Sequence, residues 1–399
     1  MNRVPKLRFK EFTDKWEEKK LEYITKFSKG KLISKEDITE TGIECIRYGE
    51  LYTTYGEVIS EIVSKTNLNI KDLVLSEKND IIIPSSGETA IDIAKASCVT
   101  KSGVALGGDL NILKLNENGI FLSYYLNNKL KYQIASLAQG ASVVHLYENH
   151  LKKLKVLFPC LEEQEKIADF LSNVDKKISI TEEKLNLFNE YKKGIMQKIF
   201  NQELRFKDEN GNDYPEWEET KIGKVLIERK EYSEKNNNFP HLSLTKDGVL
   251  PKNERYERDF LVKDEEKMYK ITRLNDICYN PANLKFGVIC KNNLGDGIFS
   301  PIYITFIVKE GTNAEYLNLY IKYSDFIKRA RKYEEGTVYE RMAVKCSDFI
   351  KTEIKLPCIE EQQKIADFLL AIDTKIGKLS DELENLKEFK KGLLQQMFV

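Results

Sequence analysis

Few residues in this sequence are spaced for chemistry. An enzyme that methylates adenine in DNA holds the flipped base with an Asn-Pro-Pro-aromatic run, and Asn280-Pro281-Ala282-Asn283 supplies only the first two letters. Gly103-Val104-Ala105-Leu106-Gly107-Gly108 is glycine-rich but lacks the Gly-x-Gly-x-x-Gly order, and no Gly-x-x-x-x-Gly-Lys-Ser/Thr phosphate cradle occurs. His145, His150 and His241 are the only histidines, which leaves metal centres and Ser-His-Asp relays poorly supplied. Acidic pairs such as Glu162-Glu163 recur at helix starts, where the positive end of the helix dipole accounts for them. The chain reads as a binder without catalytic or metal residues of its own.

Composition narrows what it binds. The 399 residues hold 63 basic and 63 acidic side chains, so a general polycation is excluded and only a local basic face remains open. That length holds two or three domains with proper cores. No apolar run approaches ~18 residues, and Met1 to Glu11 is polar and basic, so neither a membrane span nor a secretory leader is expected. Cys45, Cys98, Cys160, Cys278, Cys290, Cys346 and Cys358 form no Cys-x-x-Cys pair and read as reduced thiols in a cytoplasmic setting.

The elements that must position any site are announced by a repeat. Pro159-Cys160-Leu161-Glu162-Glu163-Gln164-Glu165-Lys166-Ile167-Ala168-Asp169-Phe170-Leu171 returns as Pro357-Cys358-Ile359-Glu360-Glu361-Gln362-Gln363-Lys364-Ile365-Ala366-Asp367-Phe368-Leu369, identical at eleven of thirteen positions and offset by 198. Tyr191-Lys192-Lys193-Gly194 likewise returns as Phe389-Lys390-Lys391-Gly392. The openings match too: Leu7-Arg8-Phe9-Lys10 and Trp16 answer Leu204-Arg205-Phe206-Lys207 and Trp217, the only two tryptophans.

Behind each Pro-x-x-Glu-Glu-Gln start, apolar residues recur at alternating spacings of four and three. The first series is Ile167, Leu171, Val174, Ile178, Thr181, Leu185, Phe188, Lys192, Ile195 and Ile199. The second is Ile365, Leu369, Ile372, Ile376, Leu379, Leu383, Leu386, Lys390, Leu393 and Met397, with its lysine at the matching place. Such heptad seams predict helices roughly 57 Å long at ~1.5 Å per residue. A stripe of this length needs cover. Either the helices close on each other as an antiparallel intramolecular coiled coil, or each packs on its own domain.

Between openings and helices lie globular stretches. Strand-like runs are Ile43–Tyr48, Asp80–Ile83, Asn111–Leu115, Asp276–Tyr279 and Ile302–Val308. Helices are predicted over Phe121–Leu137 and Ala314–Tyr333, ending near the matched Gly140 and Gly336. The fold class is therefore α/β (α+β) with an internal twofold repeat. Its divisions are a domain over 1–157, a helix over 158–200, a linker and second domain over 201–356, and a second helix over 357–399. Framework positions echo at an offset near 196, as Asp80-Ile81 and Asp276-Ile277 do, while the neighbouring loops do not. One scaffold with unlike loops suits the reading of two unlike targets; drift after duplication is the plainer alternative.

Two variable domains, each followed by a long helix opening Pro-x-x-Glu-Glu-Gln-x-Lys-Ile-Ala, resemble the specificity subunit of type I restriction-modification enzymes across essentially the whole chain. The resemblance implies two target recognition domains, each reading one half of a split, asymmetric site in double-stranded DNA, with the paired helices as a ruler. It implies docking of two modification subunits that carry S-adenosylmethionine and two restriction subunits driven by ATP and Mg, the specificity chain itself needing no cofactor and catalysing nothing.

Base readers should be polar or basic side chains on loops. The candidates in the first domain are Arg47, Tyr48, Ser85, Ser86, Ser142 and His145. Those in the second are Thr245, Lys246, Asn280, Asn283, Lys285, Tyr339 and Arg341. Lys328-Arg329 and Arg331-Lys332 form a phosphate-grip candidate, with a solvated helix face as the alternative. A two-repeat coiled-coil scaffold that binds only proteins is the rival reading.

Overall fold

Behind Pro159 and Pro357 the chain enters two long helices, Leu161–Phe200 and Ile359–Met397, of 40 and 39 residues, in a computed structural model of the protein. The structure describes residues 4–233, 239–252, 268–334 and 342–399. The predicted seam is the face that loses water. From residue 375 to 391 the only positions not exposed are Ile376, Leu379, Leu383, Leu386 and Lys390, all seam positions. No helix among the described residues is long and apolar enough to cross a membrane.

The chain divides into two compact units, residues 1–183 with 380–399, and residues 184–379. Within the first, Lys390 meets Asp175 at 2.7 Å and Lys387 meets Glu182 at 2.6 Å. Within the second, Lys192 meets Asp373 at 2.5 Å and Lys375 lies 4.6 Å from the Phe188 ring. Numbers rise along one helix as they fall along the other, so the helices pair antiparallel. The seams cover each other as expected, and their ends also join the domain cores.

The first unit carries a five-stranded sheet in the order Thr25–Lys29, Leu110–Leu115, Asp80–Pro84, Ser97–Val99, Val58–Ile59, antiparallel except for its last pair. A smaller sheet orders Ala105–Leu106, Ile43–Ile46, Ser64–Thr66 and Ile38–Thr39. The second unit repeats the first four strands of the larger sheet as Leu226–Glu228, Ile304–Val308, Ile277–Tyr279 and Ile289–Lys291. Asp80 and Ile277 thus open equivalent central strands, buried on both faces as their unbroken apolar runs require.

Both predicted domain helices are broken. Gly119–Asn128 and Lys131–Ser136 replace the single helix over 121–137, and Ala314–Lys322 and Ser324–Ala330 replace its counterpart. The apolar period runs through the first break because Phe121, Leu122, Tyr125, Leu126, Leu130 and Ile134 all enter one core. Gly140 (φ 127°) does not cap a helix. It shapes the turn of a hairpin in which Gln139 and His145 exchange backbone hydrogen bonds, and a Cβ there would lie 2.1 Å from Val143 O.

The repeated motif is a lock. Glu163, fully buried, accepts two hydrogen bonds from Arg8, both at 2.7 Å, and Glu361 accepts from Arg205 at 3.3 and 2.8 Å. Gln164 donates to Pro159 O and accepts from Asn118 N–H, each at 3.0 Å. Gln362 does the same with Pro357 O and Asn313 N–H, each at 2.8 Å. Asn118 and Asn313 are themselves N-caps of the domain helices. The helix foot is thereby fastened to the opening arm and to its own domain.

Each unit is completed by the tail of the opposite helix. In the first, Phe398 packs 5.5 Å from Phe121, 5.8 Å from Tyr125 and 6.4 Å from Trp16. In the second, Phe200 packs 5.1 Å from Tyr320 and 6.1 Å from Tyr316.

Candidate nucleic-acid interface

In the first unit the central strand Asp80–Pro84 runs into Ser85 and Ser86, and Ser86-Gly87 pairs antiparallel with Val144-His145, Ser86 opposite His145. The structure therefore brings Ser85, Ser86, Ser142 and His145 to one hairpin. Their accessibility differs. Ser85 and Ser86 are 5% and 6% exposed, and the Ser85 backbone is held by Asp109 O and Leu146 N–H. Ser142 and His145 are exposed, with Tyr147 6.3 Å from the imidazole. The outward members of the hairpin are thus Ser142, His145 and Tyr147.

Arg47 and Tyr48 follow the strand Ile43–Ile46. Glu50, buried, accepts from the Arg47 backbone N–H at 2.9 Å, from its Nη2 at 3.2 Å and from Ser64 Oγ at 2.5 Å. Arg47 Nε is buried without a hydrogen-bond partner. The two residues share the lining of a groove of about 660 Å³ with Leu32, Ser34 and Lys35. Those three were absent from the sequence-based candidates. Their signal was Gly30 together with Gly107-Gly108, residues that let three backbones approach.

In the second unit Thr245 and Lys246 occupy the turn between Leu242–Leu244 and Val249–Pro251. Thr245 Oγ1 accepts from the Asp247 and Gly248 N–H groups, each at 3.1 Å, and donates to Gly248 O at 2.9 Å, so it builds the turn. Lys246 projects from it, exposed. Asn280 is buried and caps the 3-10 helix Pro281–Phe286 by accepting from Ala282 N–H at 3.1 Å. Asn-Pro is here a helix start. Asn283 and Lys285 are exposed on that short helix beside Phe286, 65% exposed, with Lys285 Nζ 5.1 Å from its ring. Tyr339 and Arg341 lie outside the described residues, as does Gly336.

The basic cluster resolves unevenly. Arg329 is engaged by Asp325 at 3.0 Å, Glu353 O at 2.5 Å and Tyr320 Oη at 3.0 Å, and Arg331 by Glu334 at 3.0 Å. Lys328 instead joins Lys322, Lys192 and Lys193 around a groove of about 580 Å³, in which Asp325 is the one acid among the described lining residues. Phosphate is the group such a lining attracts.

No group of three or more His, Cys, Asp or Glu side chains converges as a metal site among the described residues. All seven cysteines are free; burial pushes the Cys45 thiol up to about 11 and Cys98 up to about 12, far from a reactive thiolate.

Residues 13–189 match the family model described as the type I restriction modification DNA specificity domain. A protein described as the MjaX type I restriction enzyme specificity subunit of Methanocaldococcus jannaschii is 27% identical over 425 residues, covering 96% of this chain and 93% of that one. The MjaVIII specificity subunit of the same organism is 24% identical over 363 residues, covering 84% and 81%. The fold is similar to the crystal structure of a type I restriction-modification S subunit from M. genitalium, with a TM-score of 0.63, 16% identity and 99% of each chain covered.

Proposed function

From its place among the type I restriction-modification specificity subunits, the family to which this chain belongs, we infer that it reads a bipartite, asymmetric site in double-stranded DNA for a modification and restriction complex. As a specificity subunit it is the non-catalytic member of such an assembly. Each domain takes one half-site, and the paired helices fix the interval between the halves. Two modification subunits supply S-adenosylmethionine and methylate adenine; two restriction subunits supply ATP-driven cleavage, in the cytoplasm.

The observation that carries this reading is the contrast between matched locks and unmatched loops. Arg8–Glu163 and Arg205–Glu361 repeat one joint, whereas the segment after the central strand is a short strand, Ser86–Gly87, in the first domain and a 3-10 helix, Pro281–Phe286, in the second. Unlike loops on like frames suit two unlike half-sites.

Methylome sequencing of cells with and without this gene tests it. A split motif that vanishes with the gene is the expected result, and an unchanged methylome refutes the reading. Exchanging residues 17–150 for another family member's domain should then alter one half of that motif only. Alteration of both halves would contradict the modular assignment.

A further inference from the structure

The chain leaves the strand Thr25–Lys29 through a loop held in an uncommon conformation. Leu32 (φ 56°) and Ile33 (φ 61°) are successive residues in the left-handed region, where a β-branched side chain is an outlier. Contacts on both sides hold them there. Lys31 N–H donates to Leu106 O at 3.0 Å, Gly108 N–H to Leu32 O at 2.6 Å, and Gly107 N–H to Ile46 O at 2.9 Å. A Cβ on Gly30 would sit 1.9 Å from Gly107 O, so only glycine permits the approach. Ser34 N–H and Oγ both donate to Asp37 at 2.7 Å.

The result of this bracing is odd in stability terms. Ile33 is the anchor, buried beside Cys45 and Ala105. Its neighbour Leu32 is thereby pushed into water, 50% exposed, between the exposed Lys31 and Lys35. Backbone strain persists where the surroundings over-determine it, and it concentrates where ligands are gripped.

Arg47 and Tyr48 line the same groove as this loop. Arg47 is steadied by Glu50 through Nη2, while its side chain stays partly exposed to the groove. These are the chemistries that distinguish base pairs in the major groove: an apolar tip for the thymine methyl, a guanidinium for guanine, a hydroxyl for several bases and a carboxylate such as Asp109 for cytosine. After Leu226–Glu228 the second unit places Arg229, drawn inward by Asp276 at 2.7 and 2.9 Å.

We propose that the strained loop Lys31–Lys35, with Arg47 in the same groove, is the element that reads base edges of the first half-site, Leu32 and Arg47 being its specificity-determining side chains. This rests on the functional reading above and names the residues that execute it.

Leu32→Gly tests it cleanly, because glycine accepts the left-handed backbone while removing the side chain. The full chain, assembled with its modification subunits, methylates a duplex library randomised in both half-sites. Leu32→Gly should melt no lower than the parent yet lose about ten-fold selectivity at a position of the first half-site, the second half remaining unchanged. Arg47→Gln should relax a different position of the same half. Folded variants with unaltered preferences, or alterations in the second half alone, overturn the proposal while leaving the functional reading intact. A parent complex that selects no split sequence overturns both.

Discussion

Lys390 Nζ lies 2.7 Å from Asp175 Oδ1, and the same pair recurs with the repeats exchanged as Lys192 and Asp373, 2.5 Å apart. These lysines interrupt the two stripes at matching places. In an antiparallel pair a slip of one turn would part both from their carboxylates, so they act against misregister, the best-attested role of polar groups in such seams. The first pair is embedded further. Lys390 also meets Glu57 at 3.1 Å, and Tyr124 donates to Asp175 at 2.5 Å. Burial opposes the Lys390 charge, but Glu57 and Asp175 outweigh it and hold its pKa above the ordinary value.

Lys390→Met leaves Asp175 and Glu57 facing each other with no cation between them. A loss of about 2–3 kcal/mol is expected, against about 1 kcal/mol for the more simply paired Lys192→Met. Urea unfolding of both variants decides it. Adding Asp175→Leu to Lys390→Met should recover part of the loss, because the stranded charge goes with it.

Arg8→Ala uncovers a carboxylate with no exposure at all, and should cost roughly 3–4 kcal/mol. Arg205→Ala should cost less. Trp217 Nε1 also donates to Glu361, at 2.9 Å, whereas Trp16 Nε1 is buried without a partner. For the same reason Trp217→Phe should destabilise by about 1 kcal/mol more than Trp16→Phe. Thermal unfolding of the four variants provides the ranking.

Lys193→Glu and Lys328→Glu alter the basic groove without touching the reading loops. Each should weaken DNA binding by the assembled complex evenly across sequences. The plot of log affinity against log salt should also flatten, by about 0.9 for every phosphate that is no longer neutralised. Fluorescence anisotropy across a salt series measures the slope. An unchanged slope assigns the groove to another role.

A maleimide probe at pH 8 should label Cys160, which is exposed, before Cys45, Cys98 and Cys290. Burial raises the Cys45 and Cys290 thiols to about 11, so the thiolate fraction at pH 8 is on the order of one in a thousand and grows as pH rises. Mass spectrometry of timed digests gives the order.

The long helices were legible because a seam periodicity sustained over five heptads admits no other structure, and because it is written twice. Strands such as Asp80–Pro84 were legible from their apolar runs. The site was less so. Asn280, Thr245 and Ser85 have the residue types of base readers, but the first two use their side chains as backbone caps and Ser85 is buried. Short polar side chains serve either end, and only the local backbone decides which. The loop around Leu32 was invisible for the converse reason: nothing in Leu-Ile announces a left-handed turn, which is imposed from outside by Gly30, Gly107 and Gly108.

The arginine hook at each helix foot grips the opening arm, while the caps beside it grip the domain helix; neither touches the strand ends from which the loops spring. Joinery and lettering are therefore kept on separate timbers. A change confined to the loops leaves both hooks, and the caps beside them, undisturbed.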